Sequence, residues 1–387
     1  MSKEDFIKLL PFFIFYTFLT WFVSDNIFFW DTVQLASLHA HYFYENNFNN
    51  LLLPNEIDSG HIPSFGMYIA LIWKIFGKTL FASHFAILPF LYGIIWQAYL
   101  LIKKFINKKY VFLALVIFLA DATLLAQSTL ISPDVVLVFL FLLALNSVLK
   151  QNKILLSISV AGLFLISMRG MMVATSILTL DIIFNIQFTN FKETFVQLLK
   201  KTIIYIPALI IFIAFNYYHY YVKGWFAYHN NSPWATNFEI TNLKGFLRNI
   251  IILIWRLIDF GRIFMWIITL SIIISSYKSI KNDKKIRKLI IILFVVSFFL
   301  LISFLMYKSL TGHRYILPIY LTFSLLTTYL IFEKIKTKKR KIIISTLLVL
   351  GLLSGNFWVY PEKIAQGWDS SLAYLNYFKL RNKTIDY

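Results

Sequence analysis

Residues Leu289–Leu305 read LIIILFVVSFFLLISFL, with no charged side chain. An apolar run of about 18 residues crosses the hydrocarbon of a bilayer as a helix. No water reaches that depth, so every backbone N–H and C=O must bond within the segment. A membrane β-barrel would show polar residues alternating with apolar ones, and this run does not. Lys281, Lys284, Lys285, Arg287 and Lys288 precede it, and His313-Arg314 follows. A basic flank of this kind marks the cytoplasmic end of a span.

The same pattern recurs on both sides. Hydrophobic residues make up 59% of the 387-residue chain and charged residues 14%, against about 25% charged in water-soluble domains. The runs predict spans over Ile7–Val23, Phe81–Ile102, Tyr110–Ala122, Pro133–Leu149, Ile154–Met168, Gly170–Ile186, Thr202–Tyr218, Arg262–Tyr277, Leu289–Met306, Tyr315–Phe332 and Ile342–Trp358. The expected fold is an all-α integral membrane bundle of about eleven transmembrane helices. Ile7–Val23 is too long for a signal-peptide core and lacks a small-residue cleavage site, so it reads as a retained first helix. Phe65–Phe76 is too short to cross and reads as an amphipathic helix in the first outer loop, and Asn249–Phe260 reads similarly. No fixed-period repeat is visible, and there is no cysteine to form a disulfide or act as a nucleophile.

The formal charge of +19 raises nucleic-acid binding, but the placement of the charge excludes it. Basic residues cluster between the runs: Lys103, Lys104, Lys108 and Lys109; the Lys281–Lys288 group; and Lys334, Lys336, Lys338, Lys339, Arg340 and Lys341. No nucleic-acid motif accompanies them. With the N-terminus inside, the short inner loops hold about 23 of the basic residues. Asp25, Asp31, Glu45, Glu56, Asp58, Asp134, Glu239, Glu362 and Asp369 then fall outside. The division that follows is a membrane domain over 1–358 with outer loops at about 24–80 and 217–248, and a short outer tail over 359–387. An enzyme working on that outer face has no nucleotides at hand and needs an activated substrate delivered by lipid.

A few residues there carry candidate chemistry. Asp31, in Phe28-Phe29-Trp30-Asp31, is a carboxylate among aromatic rings at a membrane surface. Partial desolvation raises its basicity and suits a general base; the plainer reading is a helix N-cap. Asp58-Ser59-Gly60-His61-Ile62-Pro63 precedes a helix start, and His61 offers a donor to a phosphate or a carboxylate. Asp134 opens one apolar helix and Asp121 sits near the outer end of another. Both are caps in the plain reading and functional groups in the sharper one. Arg169, between two runs, either snorkels or binds a phosphate. His313-Arg314-Tyr315 opens a span with two adjacent donors, which suits an anion site. There is no Gly-rich phosphate loop and no zinc-ligand spacing, so no cofactor or metal is expected. Carboxylates with cations suit a displacement in which a carboxylate removes a proton and cations stabilise a departing phosphate.

The order of these motifs resembles the glycosyltransferase-C superfamily, in its branch of protein O-mannosyltransferases and aminoarabinose transferases. Trp30-Asp31 after the first helix is similar to the family's acidic residue in the first outer loop. His61-Ile62-Pro63 followed by Phe76-Gly77 resembles its His-Pro-Pro and Phe-Gly pair. Ser132-Pro133-Asp134 resembles its Thr-Asp or Pro-Asp step, and Met168-Arg169-Gly170 stands where it has Thr-Lys-Gly. Arg314-Tyr315-Ile316-Leu317-Pro318 resembles its Arg-Tyr-Leu-Leu-Pro helix start. Ile62 departs from the double proline, and His84 stands where many members have arginine. The resemblance covers roughly residues 1–332. It implies inverting transfer of a sugar from a polyprenyl-phosphate donor to an acceptor hydroxyl at the outer face of the cytoplasmic membrane. Asp31 would then be the base, with Asp134 beside it as a second catalytic carboxylate. Arg169, His313, Arg314 and His61 would bind the donor phosphate, and Asp58, Asp121, Trp30 and Tyr315 would contact sugar or acceptor. A transporter or lipid flippase is the alternative, and a non-catalytic assembly partner a third reading.

The topology is directly testable. Reporter fusions at Lys284 and at Lys383 should report opposite sides of the membrane, inside and outside respectively. Reports from the same side would overturn the assignment.

Overall fold

The structure, a computed structural model, describes residues 3–187, 189–227, 229, 235–361 and 369–385. Glu362, parts of the segment over 217–248 and part of the tail lie outside the described residues. Among those described there is no strand, and Ile240 and Tyr307 make one isolated antiparallel bridge. The helices are α1 (Lys3–Phe22), α2 (His39–Glu45), α3 (Ser64–Phe76), α4 (Leu80–Phe85), α5 (Leu88–Phe105), α6 (Val111–Leu119), α7 (Ala122–Ser128), α8 (Pro133–Lys150), α9 (Lys153–Ile166), α10 (Met168–Asn185), α11 (Phe191–Lys223), α12 (Leu243–Ile258), α13 (Arg262–Ile280), α14 (Lys284–Met306), α15 (Leu317–Lys334), α16 (Lys338–Ser354) and α17 (Asn376–Ile385).

Every apolar run read from the sequence is helical. Eight stretches are long and apolar enough to cross a membrane, and the pair α6–α7, bent by 73° at its break, makes up to nine. The expectation of about eleven counted two more. α9 has only 14 residues, and α10 carries Arg169 and Asp181. The supported architecture is therefore a polytopic bundle of about eight long apolar helices.

Two helices form its centre. α8 packs on α5, α9 and α10, and α15 packs on α6, α13 and α14. α15 is buried along nearly its whole length, including Thr322, Ser324, Thr327 and Thr328. A buried hydroxyl without a partner is costly. Thr322, Thr327 and Thr328 return hydrogen bonds to carbonyls one turn back, and Thr327 meets Thr269 of α13 at 2.8 Å. α1 lies at the edge, with only Leu9, Tyr16 and Thr20 buried. Its Ile14, Phe18, Trp21 and Phe22 stay exposed, the expected state of a lipid-facing surface.

The bundle has two chemically different ends. At one, the basic loops meet. Lys104 Nζ donates to Leu149 O, Lys285 Nζ to Phe105 O at 3.2 Å, and Lys334 pairs with Asp283 at 2.5 Å. At the other end the first long loop covers the helix tips. α3 buries Phe65, Ile69, Ala70 and Trp73 on one face, against α2, and exposes Leu71, Ile75 and Phe76 on the other. The run too short to cross is thus a short helix with one buried and one exposed face. α12 begins earlier than the Asn249 read from the sequence. Its Asn249 Nδ2 donates to Leu305 O and Tyr307 O at 3.1 and 2.9 Å, which holds α12 beside the tip of α14.

The break between α6 and α7 is fixed by charge. Asp121 Oδ1 accepts from Thr123 N and Leu124 N at the start of α7. Its two oxygens also receive Nε and Nη2 of Arg262 at 2.9 and 2.8 Å. Both partners are almost wholly buried, and the Arg262 guanidinium lies 3.5 Å over the Tyr320 ring. Removing one member of such a pair strands the other, at a cost of about 3–5 kcal/mol. Arg262→Gln is expected to lose about that much in denaturant unfolding of the detergent-solubilised protein. Asp121→Asn/Arg262→Gln should regain most of the loss, because Asn still caps α7. A single variant as stable as the parent would show that the pair does not hold the break.

Candidate active site

Four chain segments converge at the end of the bundle opposite the lysine loops. The first is the turn after α1. Trp30 adopts a φ of 54°, an uncommon conformation for a bulky residue and often a mark of a functional site. Thr32 Oγ1 closes this turn, accepting from Phe29 N and donating to Phe29 O, both at 2.8 Å. A π-helical stretch, Val33–Leu38, follows; such bulges frequently sit at functional sites. The Asp31 side chain does not cap this helix. It accepts a hydrogen bond from Arg314 Nη2 instead.

The second segment is the start of α8. Ser132 Oγ supplies the cap by accepting from Asp134 N at 3.1 Å, and Pro133 occupies the first turn. The Asp134 carboxylate is thereby left for arginine. The third is the α9–α10 corner, where Ser167 Oγ accepts from Gly170 N. A side chain at position 170 would strike Leu163 O, 1.9 Å from the Cβ it would carry, so glycine permits the close corner that aims Arg169. The fourth is the run into α15, which delivers Arg314 and Tyr315.

Together with Asp369 of the tail these form one ion network. Arg169 Nη1 bonds Asp134 Oδ1 at 2.6 Å. Arg314 reaches Asp31, Asp134 (3.6 Å) and Asp369 (2.5 Å). Both guanidiniums approach the Tyr315 ring, Arg169 at 4.3 Å and Arg314 at 5.0 Å. Three carboxylates thus share two guanidiniums, which leaves one excess negative charge. In line with that excess, the Asp31 carboxyl is pushed above the usual carboxylate range. Burial is the main cause, with Asp369 and Asp134 adding to it and Arg314 opposing.

An open-sided pocket lies against the network. Asp31, Ser59, His61, Asp134, Arg169, Tyr307 and Tyr315 supply its polar lining, and Leu35, Ile166, Met168, Met172 and Leu310 its apolar wall. Asp31 and Arg169 are the more open members, at 22% and 17% side-chain exposure, against 6% for Asp134 and 8% for Arg314. His61 is held down to about 4 by burial, so near neutral pH it is an uncharged donor or acceptor.

The sequence-predicted residues therefore separate. Asp31, His61, Asp134, Arg169 and Tyr315 share the pocket. Arg314 stands behind it, occupied by carboxylates. His313 points elsewhere: fully buried, its Nε2 lies 2.8 Å from both oxygens of Asp259. Asp259 also faces Arg256 and Arg262 at 3.5 and 3.6 Å. Asp121 is committed to Arg262, as described above. Asp58 belongs to a third cluster, with His219 at 3.1 Å, Lys223 and Gly60 N. Trp30 is half exposed and does not line the pocket. His84 is buried and shares a 2.9 Å hydrogen bond with Asn26 O.

Asp369 is the functional candidate that the sequence reading did not single out. Gln127 Nε2 donates to it at 3.1 Å. The adjoining tail is fastened by Thr123 Oγ1 to Ser370 O at 3.0 Å and by Tyr374 against Thr129 and Phe29. Nothing in its local sequence distinguished it from the other acidic residues of the loops and tail. Among the described residues no three His, Asp or Glu side chains are placed to hold a metal ion. Compared with protein-family models, curated proteins and solved structures, the chain matches none.

The Asp31 shift has a consequence for stability. The folded state holds this proton more tightly than the unfolded chain, so stability falls as pH rises from the unfolded carboxyl value through the folded one. Asp31→Asn cannot ionise and escapes that cost. Its thermal midpoint at pH 7 is expected to equal or exceed that of the parent, with the difference shrinking towards pH 4. A variant destabilised equally at both pH values would make the Asp31–Arg314 pair a structural tie.

Proposed function

We propose that the chain is a membrane glycosyltransferase of the glycosyltransferase-C kind. It would transfer a sugar from a polyprenyl-phosphate donor to an acceptor hydroxyl at the outer face of the cytoplasmic membrane. In this reading all eleven apolar runs cross, with the N-terminus inside. The observation that carries it is the convergence, on one pocket, of a carboxylate with raised basicity (Asp31), a guanidinium (Arg169) and an apolar wall.

The roles follow from that geometry. The acceptor hydroxyl gives its proton to the Asp31 carboxylate as its oxygen bonds the anomeric carbon. The bond from that carbon to the phosphate oxygen breaks, and its electron pair leaves with the phosphate. Attack opposite the leaving group inverts the anomeric centre. A departing phosphate needs charge stabilisation more than a proton. Arg169 supplies it, since it lines the pocket and has a single carboxylate partner in the network. Arg314 is a positioning residue that fixes Asp31, and Asp134 orients Arg169. His61, uncharged, can hydrogen-bond the phosphate or sugar.

A transporter or flippase would need paired ionisable groups along a pathway. The pair Asp181–Lys201, at 2.6 Å, is the best placed for that. Asn185 ties Asp181 to Val148 O, close to the basic end and away from the pocket.

A deletion strain, read by mass spectrometry of surface glycans and lipid carriers, would identify donor and product. Purified protein should then release polyprenyl phosphate from that donor. Asp31→Asn is expected to lower turnover by about 10²–10⁴-fold with donor binding largely kept. Arg169→Gln should weaken donor binding as well. Wild-type turnover in Asp31→Asn, or no transfer by the parent protein, would end the proposal.

A further inference from the structure

At the basic end, a cavity of about 500 Å³ opens between α1, α5 and the start of α6. Lys8, Lys103, Lys108 and Lys109 line it together with Glu4, Asp5 and Tyr99. Its remaining wall is Leu9, Val111, Phe112 and Leu115, along α1 and α6. Phe12 and Phe112 meet across these two helices, ring centroids 5.1 Å apart.

The charges do not balance. Glu4 pairs with Lys8 at 2.5 Å, and Asp5 pairs with Lys103 at 3.0 Å while accepting from Tyr99. Four lysines against two carboxylates leave two positive charges. Among the described residues no ion pair is made by Lys108 or Lys109, and Lys109 lies 5.8 Å from the Tyr110 ring. Like charges gathered round one cavity repel, and an anion placed among them removes the repulsion. Exposed cations beside the half-exposed Phe112 ring match an amphiphile: a phosphate held by the lysines and a hydrocarbon chain against Phe112. Basic pockets between transmembrane helices receive anionic headgroups in this way.

We propose that this cavity binds an anionic glycerophospholipid, its headgroup phosphate on Lys108 and Lys109 and an acyl chain against the exposed Phe112 ring, which the buried Leu9, Val111 and Leu115 back. The site is independent of the sugar-transfer reading and lies at the opposite end of the bundle from the pocket. It ties the edge helix α1 to α6 through a shared lipid.

The test uses full-length protein, delipidated in a neutral detergent. It is titrated separately with dioleoylphosphatidylglycerol, dioleoylphosphatidylcholine and sodium phosphate. Binding is read by native mass spectrometry and by the thermal midpoint. Phosphatidylglycerol should raise the midpoint and be retained, while phosphatidylcholine and phosphate do neither. Each lysine near a membrane surface is worth about 1 kcal/mol towards anionic lipid, so Lys108→Gln/Lys109→Gln should bind about 30-fold more weakly. Both lysines are exposed, so the fold should tolerate the change. Lys338→Gln/Lys339→Gln, on another exposed basic segment, serves as the control and should bind as the parent does. Equal binding of both lipids, equal weakening in the two double variants, or the full shift from sodium phosphate alone would each overturn the proposal.

Discussion

The Arg314 guanidinium is shared by Asp31, Asp134 and Asp369, residues drawn from the loop after α1, the start of α8 and the tail. No other side chain described here joins so many distant parts of the sequence. An arginine at the end of a buried helix cannot be left uncompensated, because desolvating a lone charge costs far more than a loop gains by moving freely. Its burial therefore forces acidic groups towards it. Once three have gathered, the cluster has more negative charge than the two arginines neutralise. That frustration belongs to the site: Arg314 fixes the geometry, and burial, with the neighbouring carboxylates adding to it, makes Asp31 more basic than an exposed aspartate.

The Arg262 cluster shows how the same chemistry can be purely architectural. Arg262, Asp121 and Thr123 satisfy each other with short, well-aimed bonds and are almost wholly buried. The two clusters are neighbours in the sequence sense, since His313 enters one and Arg314 the other. Adjacent residues with similar donor chemistry thus serve different ends, separated by which side of the chain each faces.

That separation marks where sequence reasoning stops. Apolar runs such as Leu289–Leu305 revealed the helices, because lipid or a dry core imposes the same length and composition on every span. The short helix α3 was legible for the same reason, from a run too short to cross. Asp31, Asp134 and Arg169 stood out because charge beside long apolar segments is expensive. Asp121 and His313 gave the same signal and proved to be internal partners, since a sequence shows that a charge is near the core but not what it faces. Asp369 gave no signal, because its importance lies in a contact with Arg314 across 55 residues. Eight long apolar helices, or nine with the bent pair, stand out by length and composition, while α9 is short and α10 carries charge, so composition alone does not carry the count to eleven.

The fastening of the tail bears on how the protein is made. Asp369 and Ser370 reach Arg314, Gln127 and Thr123, groups synthesised long before them. During translation, the helices up to α15 are made while Arg314 still lacks one of its three counter-charges. The pocket reaches its final electrostatic state only after Asp369 has been made and has docked on Arg314. Insertion and completion of the site are then separate events, and a nascent chain stalled before residue 369 would hold a nearly complete bundle with an unfinished centre.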